Sequence, residues 1–205
     1  MKVLCVLKSG GPDYGPEQVE RLRASLAQHS DATLVCLSDV PVPCERIPLA
    51  HDWRGWFCKL ELFRHVFDEP VLFVDLDTTF VDDPSPLFRH EFTMLENAHR
   101  PGDVGSGVMS WAGDYSRLYH DFAAAPERYM AEYTTSAKWG DQGFIRDRLG
   151  FKPAFYSREQ CASYKMHCTD QGKRPFTIPH EDCRIVYFHG KPRPWQVPPV
   201  SKHGR

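Results

Sequence analysis

Two aspartates that stand two positions apart, Asp75 and Asp77, could bind a metal ion together. They follow the apolar run Val71 to Val74, whose β-branched and aromatic residues predict a buried strand. On an extended chain such residues point to one face, about 6–7 Å apart. If both are ionised, their repulsion costs about 2–3 kcal/mol at an effective dielectric of about 20. A hard cation such as Mg²⁺ or Mn²⁺ would remove that cost and could share the carboxylates with substrate phosphates; an aspartate pair capping a neighbouring element is the alternative.

The elements that must position this pair alternate along the chain. Lys2 to Leu7 predicts a strand, "PEQVERLRASLAQH" an amphipathic helix, and "ATLVCLS" a second strand. A second helix is predicted where four apolar residues recur at helical spacing, namely Trp56, Leu60, Phe63 and Phe67. After the Asp75 strand come predicted strands at "EFTML", "GVMSW" and "RIVYFHG" and helices from near Gly113 and at "DQGFIRDRL". This order indicates an α/β layered domain, in which ligands bind beyond the carboxyl ends of the strands.

Length and composition restrict the function further. The 205 residues are enough for one sizeable core, and the net charge of −2 gives no signal for nucleic-acid or membrane binding. No apolar run is long enough for a transmembrane segment, and the N-terminal residues read as a strand instead of a signal peptide. Seven scattered cysteines suggest free thiols in a reducing compartment, so a cytoplasmic location is expected. A zinc site is the alternative for a cluster of residues near the C-terminus: Cys161, His167, Cys168, His180 and Cys183.

Two enzyme classes place D-x-D at a strand end. The stretch "LFVDLDT" resembles the motif of haloacid dehalogenase phosphatases, in which Asp75 would be the nucleophile and Asp77 the acid. Lys138 and the "GDQGFIRD" stretch could supply that family's other groups. However, the motif normally lies on the first strand of that family, and Thr79 stands where it has glycine.

The chain also resembles glycosyltransferase family 8, the group of glycogenin and the lipopolysaccharide galactosyltransferases. Five segments match in the family's order: "FCKLELF", "VLFVDLDTTFVDDPSPLF", "GSGVMSW", "WGDQGFI" and "YFHGKPRPW". The resemblance implies a single α/β GT-A domain over residues 1–205, Rossmann-like and with a mixed central sheet. It implies a nucleotide-binding half at 1–75, a metal, donor-sugar and acceptor half at 76–195, and a flexible tail at 196–205.

The resemblance implies a metal-dependent retaining transferase that moves a hexose from a UDP-sugar to an unknown acceptor. The bond that breaks joins a sugar carbon to a diphosphate, so positive charge must meet the leaving group. Asp75, Asp77 and His189 would hold Mn²⁺ or Mg²⁺. The remaining donor-binding residues implied are Lys8, Tyr14, Lys59, Leu76, Ser106, Gly107, Gly190, Lys191 and Arg193. By its sequence context, Lys59 borders an apolar helix face, where it either meets an anion or snorkels to solvent.

Three positions depart from the family pattern. Tyr187 stands where the family's metal histidine usually lies, and His189, on the same strand face, takes that role; a histidine packed in the core is the alternative. Arg193 replaces the family's lysine and keeps its charge. Gly105 replaces the asparagine that usually precedes Ser106, so a sugar-hydroxyl contact is lost or supplied elsewhere.

The sugar pocket is expected at Asp141 and Gln142. By resemblance these two residues, with Lys59, carry the catalytic role, with Asp141 binding sugar hydroxyls and Gln142 near the anomeric carbon. Asp141 is also at a predicted helix start, where a capping role is the alternative. A non-catalytic module that binds nucleotide sugars or carbohydrate also stays open, because the chain's tryptophans would suit sugar stacking.

Overall fold

The computed structural model describes residues 1–135 and 138–202 of the chain. The strands are β1 (Lys2–Leu7), β2 (Thr33–Ser38), β3 (Glu45–Pro48), β4 (Phe67–Val74), β5 (Thr78–Phe80), β6 (Thr93–Glu96), β7 (Val104–Gly113), β8 (Ala154–Phe155), β9 (Cys161–Ser163) and β10 (Ile185–Tyr187). The α-helices are α1 (Pro16–Ala27), α2 (Ser116–Ala123), α3 (Pro126–Glu132) and α4 (Gly140–Leu149). Three 3₁₀-helices (Gly55–Arg64, Ser85–Leu87 and Pro194–Gln196) and a π-helix (Tyr164–Cys168) complete the described structure.

A seven-stranded mixed sheet forms the centre of the molecule, in the order β3-β2-β1-β4-β7-β6-β8. Strands β1 to β4 are parallel to one another, whereas β7 runs antiparallel to both β4 and β6. The carboxyl ends of β1 and β4 therefore meet at one edge of the sheet, where Lys8 and Asp75 directly follow them. A smaller sheet has the strand order β5-β10-β9, and the chain enters it with β5, the first strand after β4. The predicted α/β fold with a mixed central sheet is confirmed.

The central strands are apolar throughout because both faces of the sheet are covered. On one face, Leu4 of β1 and Phe73 of β4 pack in a cluster with the 3₁₀-helix Gly55–Arg64 and with α2 and α4. On the other face, Val3 and Leu72 pack in a cluster with α1. Neighbouring residues thus bury on opposite faces, as the two-residue period of a strand requires.

The segment around Lys59 differs from the prediction. It forms a ten-residue 3₁₀-helix instead of an α-helix, an unusual length for this type of helix. Leu60 and Phe63 are buried as expected, but Trp56 is 54% exposed and Phe67 begins β4. The apolar spacing therefore identified a helical segment but not its type or its full extent.

The chain turns between the two aspartates of the D-x-D motif. Leu76 and Asp77 lie in a turn that follows β4, and the next strand, β5, joins the smaller sheet. The expectation that Asp75 and Asp77 share one face of an extended strand is therefore wrong. Two-residue alternation holds only while the backbone stays extended, and here the chain passes from one sheet to the other.

The described part of the predicted tail packs on the body of the protein. Val197 and Val200 pack against the cluster that includes Val186 of β10, and Lys202 Nζ pairs with Asp82 at 2.5 Å. Residues 203–205 of that predicted tail lie outside the described residues.

The helices and the cysteines bear on two further expectations from the sequence. Within residues 1–135 and 138–202, no helix has the length and apolar character needed to cross a membrane. The seven cysteines are free thiols, and all but Cys44 are buried.

Candidate active site

A cavity of about 760 Å³ opens at the edge of the sheet where β1 and β4 end. Residues from β7, from α4 and from the segment after β10 complete its lining. Eight of the predicted site residues line it: Lys59, Asp75, Ser106, Gly107, Asp141, Gln142, His189 and Gly190. Segments that are far apart in the sequence are therefore brought together as the motif matches predicted.

A network of charged side chains forms the floor of this cavity, and Lys59 is at its centre. The ammonium nitrogen of Lys59 lies 3.1 Å from an oxygen of Asp75 and 3.2 Å from an oxygen of Asp141. It also donates to Ser106 Oγ at 3.2 Å, and that hydroxyl donates to Asp141 Oδ2 at 2.6 Å. Lys59 is only 7% exposed, so the alternative of a lysine that snorkels to solvent is wrong.

The buried charges of the floor alter one another's pKa values. Burial raises the pKa of Asp75 to about 7, and the nearby Asp77 and Asp141 add to this effect against the attraction of Lys59. Burial alone would lower the pKa of Lys59, but Asp141 and Asp75 outweigh it and raise the pKa above its usual value. Lys59 therefore stays protonated, whereas the pKa of Asp75 lies well above that of an exposed aspartate. Strong perturbations of this kind are typical of functional sites.

Backbone geometry brings the floor residues close to one another. The N–H of Asp75 donates to the carbonyl of Gly107 at 2.9 Å, which joins the end of β4 to β7. A Cβ on Gly107 would lie 3.3 Å from Asp75 Oδ2, so glycine allows the carboxylate to approach the strand closely. Ser106, the neighbouring residue on β7, contacts Lys59 and Asp141.

Asp141 is in the first turn of α4, and its side chain is part of the cavity floor. The N-cap of this helix is Trp139, whose φ is 59°, and Gly140 follows with a φ of 68°. No side chain caps the helix, and the carboxylate of Asp141 instead binds Lys59 and Ser106. The alternative in which Asp141 acts as the N-cap is therefore wrong.

Asp77 lies in a different environment, outside the lining of the cavity. Its carboxylate accepts a hydrogen bond from Tyr14 Oη at 2.9 Å and pairs with Arg193. Arg193 also approaches Asp13, at 3.4 Å, and its guanidinium lies over the ring of Tyr14. Burial raises the pKa of Asp77, whereas Arg193 opposes that rise. Leu76, between the two aspartates, is buried.

His189 is half-buried at the cavity wall. Its Nε2 lies 2.8 Å from Ser163 Oγ, and its Nδ1 lies 3.4 Å from His99 Nε2. Burial, with a further contribution from His99 and Lys165, lowers the pKa of His189 to about 4. Among the residues that the structure describes, no group of three histidine, cysteine or carboxylate side chains is arranged to hold a metal ion. The proposed ligand set with Asp75 and Asp77 stays a prediction.

Three further predicted residues have distinct surroundings. Lys8, which follows β1, pairs with Asp39 at 2.6 Å and Asp52 at 2.8 Å. Gly190 has a φ of 67°, a conformation that favours glycine. Lys191 lines a second, neighbouring cavity.

Several residues of the cavity were not predicted from the sequence. His99, Asn97, Trp139 and Lys165 also line it, and the guanidinium of Arg100 lies 4.1 Å from the centre of the Trp139 ring. Most of these residues come from connections between elements and belong to none of the matched motifs. Only Trp139, within "WGDQGFI", carried a signal.

The described geometry does not support two of the alternatives considered from the sequence, a zinc site and a phosphatase. The residues of the zinc alternative include free, buried cysteines at 161, 168 and 183, and they do not assemble into a metal-binding group within the described chain. Lys138, which a phosphatase would need at Asp75, pairs instead with Glu132 at 3.2 Å and Asp147 at 3.5 Å.

Comparison with known proteins finds solved structures with a similar fold. No protein-family model and no curated protein matches the sequence. Among solved structures, the galactosyltransferase LgtC in complex with donor and acceptor sugar analogues shares 13% identity, with a TM-score of 0.66, over 95% of this chain and 89% of that one. The apo form of the glycosyltransferase GlyE from Streptococcus pneumoniae TIGR4 shares 15% identity over 97% of this chain, with a TM-score of 0.67. The bifunctional glycosyltransferase WbbM shares 11%, with a TM-score of 0.60, over 95% of this chain and 46% of that one.

These similarities concern the fold, because the identities are low. The chain spans 56% of the length of the apo GlyE structure, so GlyE contains a large additional part. Nearly the whole of LgtC, by contrast, is covered. The expectation drawn from the motifs is confirmed at this level: the chain has the fold of the GT-A glycosyltransferases.

Proposed function

We propose that this chain is a glycosyltransferase that moves a hexose from a UDP-sugar to an acceptor with retention of anomeric configuration. The observation that carries the proposal is the network at the floor of the cavity, in which the buried Lys59, Ser106 and Asp141 meet the partly buried Asp75. This network lies beyond the ends of parallel strands, where α/β folds bind ligands. The similarity to LgtC, a galactosyltransferase solved with donor and acceptor analogues, supports the same assignment.

The chemistry of the two aspartates fits a divalent cation. Asp75 and Asp77 supply the oxygen ligands that Mn²⁺ and Mg²⁺ prefer, and the presence of Asp77 raises the pKa of Asp75, a penalty that a cation would offset. Magnesium commonly binds one or two carboxylates together with substrate phosphates, so a third protein ligand is not required. The bound ion would neutralise charge on the leaving diphosphate. His189 would join by exchanging its contact with Ser163 or with His99.

The protein's own cations have separate tasks in this proposal. Lys59 holds the carboxylates of Asp75 and Asp141 in place at the cavity floor. Arg193 lies at Asp77 in the described structure and offers positive charge to the diphosphate when a metal occupies that carboxylate. Tyr14 keeps a hydrogen bond to Asp77 and packs edge-on against Trp195, with ring centres 5.7 Å apart. Together these groups favour a leaving group that carries two phosphates.

The donor sugar would lie against α4. Asp141 presents its second oxygen to sugar hydroxyls, and Gln142 lines the cavity one residue further along the helix. The similar structures include an active-site variant of LgtC in which glutamate replaces a glutamine. This supports the choice of Gln142 as an active-site residue. Membership of family 8, the hexose, the uridine base and the retention of configuration are parts of the proposal that rest on the motif resemblance.

The test is a release assay with a panel of UDP-sugars, with and without Mn²⁺. We expect metal-dependent release of UDP by the wild type and loss of at least 10²-fold in an Asp77→Asn variant, because the metal loses a charged ligand. Asp68→Asn, at an exposed position on the preceding strand β4, is the matched control. Circular dichroism of both variants establishes that each is folded.

Three outcomes separate the readings of the motif. Normal turnover in Asp77→Asn would contradict the metal assignment. Release of phosphate from simple monoesters without any turnover of UDP-sugars would favour the phosphatase. Binding of UDP-sugars without turnover would favour the non-catalytic module.

A further inference from the structure

A second cavity, of about 610 Å³, adjoins the first. Its walls come mainly from the π-helix Tyr164–Cys168 and from the segment that follows it to Phe176. Lys191 and Pro192, from the segment after β10, also line it. His99 and Lys165 line both cavities, so the two spaces meet at these side chains.

The second cavity is strongly basic. Lys165, Arg174 and Lys191 contribute three basic side chains to its lining. Of the described residues that line it, none is an aspartate or a glutamate. Like charges held around one space repel one another, and an anion in that space would remove the repulsion.

The cation-bearing segment is held in an unusual backbone conformation. Asp170, Gln171 and Gly172 have φ values of 46°, 57° and 84°, so two residues other than glycine adopt the left-handed region in succession. The N–H of Gln171 donates to the carbonyl of Lys165 at 2.6 Å, which ties this turn to the π-helix. Backbone strain of this kind is concentrated at ligand sites and active sites. Arg174, two residues after this turn, donates a hydrogen bond to the carbonyl of His167 in the π-helix, which ties the cation to the wall of the cavity.

Aromatic rings form an apolar wall beside the cations. Tyr164 stacks on Phe176, with ring centres 5.7 Å apart, and on Phe188, at 4.5 Å. Both Tyr164 and Phe176 line the second cavity. A sugar ring suits such a surface because its C–H face is apolar, and an acidic substituent on the same sugar suits the cations.

We propose that the second cavity binds an acidic sugar of the acceptor, with its phosphate or carboxylate held by Arg174, Lys165 and Lys191. This inference rests on the proposed function, because the first cavity then holds the donor. The Nζ of Lys165 lies 3.4 Å from the position of a Cβ built on Gly190, a residue of the first cavity's wall. The acidic group thus lies next to the donor site, and a hydroxyl on the same or the adjoining sugar can enter it.

Arg174 gives the sharpest test because it lines only the second cavity. The matched control is Lys173→Gln, an exposed neighbour on the same segment that does not line the cavity. Glucose 6-phosphate, glucuronic acid and glucose serve as probes in calorimetric titrations of the wild type and both variants. We expect the wild type to bind at least one acidic probe more tightly than glucose, and Arg174→Gln to weaken that binding about tenfold because a charge-assisted hydrogen bond is lost. Comparison of the two acidic probes tells phosphate from carboxylate.

Kinetics separate the acceptor role from the donor role. With acidic acceptors, Arg174→Gln should raise the KM for the acceptor about tenfold, while the KM for the UDP-sugar and the rate of its hydrolysis stay unchanged. Equal binding of acidic probes by wild type, Arg174→Gln and Lys173→Gln, or a raised KM for the donor, would overturn the assignment of this cavity. Absence of nucleotide-sugar turnover in the wild type would instead overturn the proposed function and, with it, the acceptor role.

Discussion

Asp75 and Asp77 are separated by one residue but belong to two different regions of the molecule. Asp75 is part of the cavity floor, where it pairs with Lys59 of a 3₁₀-helix, and Lys59 in turn contacts Ser106 of β7 and Asp141 of α4. Asp77 is bound by loops, with Tyr14 from the segment after β1 and Arg193 from the segment after β10. The floor is thus built by elements that the hydrophobic core holds in place, whereas the surroundings of Asp77 are formed by connecting segments.

The difference has a consequence for function. A site that must keep its geometry during catalysis is best supported by rigid elements, while a site that must admit a large donor needs segments that can open. The contact between Arg193 and Asp77 connects the C-terminal segment to the D-x-D turn, and a bound metal and diphosphate would compete for the same two groups. We therefore expect variants in the floor to affect stability most, and variants around Asp77 to affect ligand binding most.

The largest expected effect is that of Lys59→Met. Methionine keeps most of the volume but leaves Asp75 and Asp141 without their cation, and breaking a buried ion pair costs about 3–5 kcal/mol of unfolding free energy. Urea denaturation measures it, with Lys2→Met, exposed on β1, as the control. A loss of less than about 1 kcal/mol, the range of surface ion pairs, would contradict the buried network.

A smaller loss of stability is expected for Arg193→Gln. Tyr14 still donates to Asp77, so the cost should be about 1–3 kcal/mol, the range for a buried polar group left partly unpaired. The same variant should raise the KM for the UDP-sugar. Arg128→Gln, at an exposed pair on α3, is the control. If Arg193→Gln destabilises as much as Lys59→Met, the contrast between the two regions is wrong.

Two glycines at the ends of α4 test whether the start of this helix positions Asp141 at the cavity floor. Gly140 and Gly150 both have positive φ, 68° and 84°, so alanine strains the backbone at either position. Only at Gly140 would the added Cβ collide with a side chain, 2.5 Å from Trp56 Nε1, whereas nothing lies within 4 Å at Gly150. Both variants should lose about 1–2 kcal/mol of unfolding free energy, and Gly140→Ala should in addition lower turnover, because α4 carries Asp141. Equal turnover in the two variants would show that Trp56 yields without moving the helix.

The smallest effect on stability is expected at His189. If this residue is a metal ligand, His189→Ala should weaken Mn²⁺ binding by at least about tenfold, since a coordinating group is lost. Tyr187→Phe, which removes only a hydroxyl at the position of the usual family histidine, should leave Mn²⁺ affinity unchanged. Isothermal titration of both variants with Mn²⁺ gives the order, and an unchanged affinity in His189→Ala would mean that the two aspartates suffice.

The pattern of the sequence predicted the elements that the core determines. The apolar runs of β1, β2 and β4 and the period of α1 are visible because burial on both faces of the sheet, or on one face of a helix, requires them. The short strands β3, β5, β8 and β9 were missed, since two to four residues carry too little periodicity. The ten-residue 3₁₀-helix was predicted as an α-helix because apolar residues recur three and four positions apart, which is the α-helical period; in the structure every residue from Phe57 to Phe63 is buried, so this spacing does not mark a single face.

The sequence by itself determined which residue types could do chemistry and, by resemblance, the class of fold that contains them. Only the tertiary structure decided how they are grouped: Lys59 and Asp141 meet Asp75 in the floor, while Asp77 turns to Tyr14 and Arg193. It also placed Lys165, Arg174 and Lys191 around one basic cavity, although these residues are spread over the C-terminal region and share no motif. The physical reason is that local spacing specifies the conformation of a segment, whereas distances between segments are set by sheet pairing, by packing and by turns such as the one at Leu76 and Asp77.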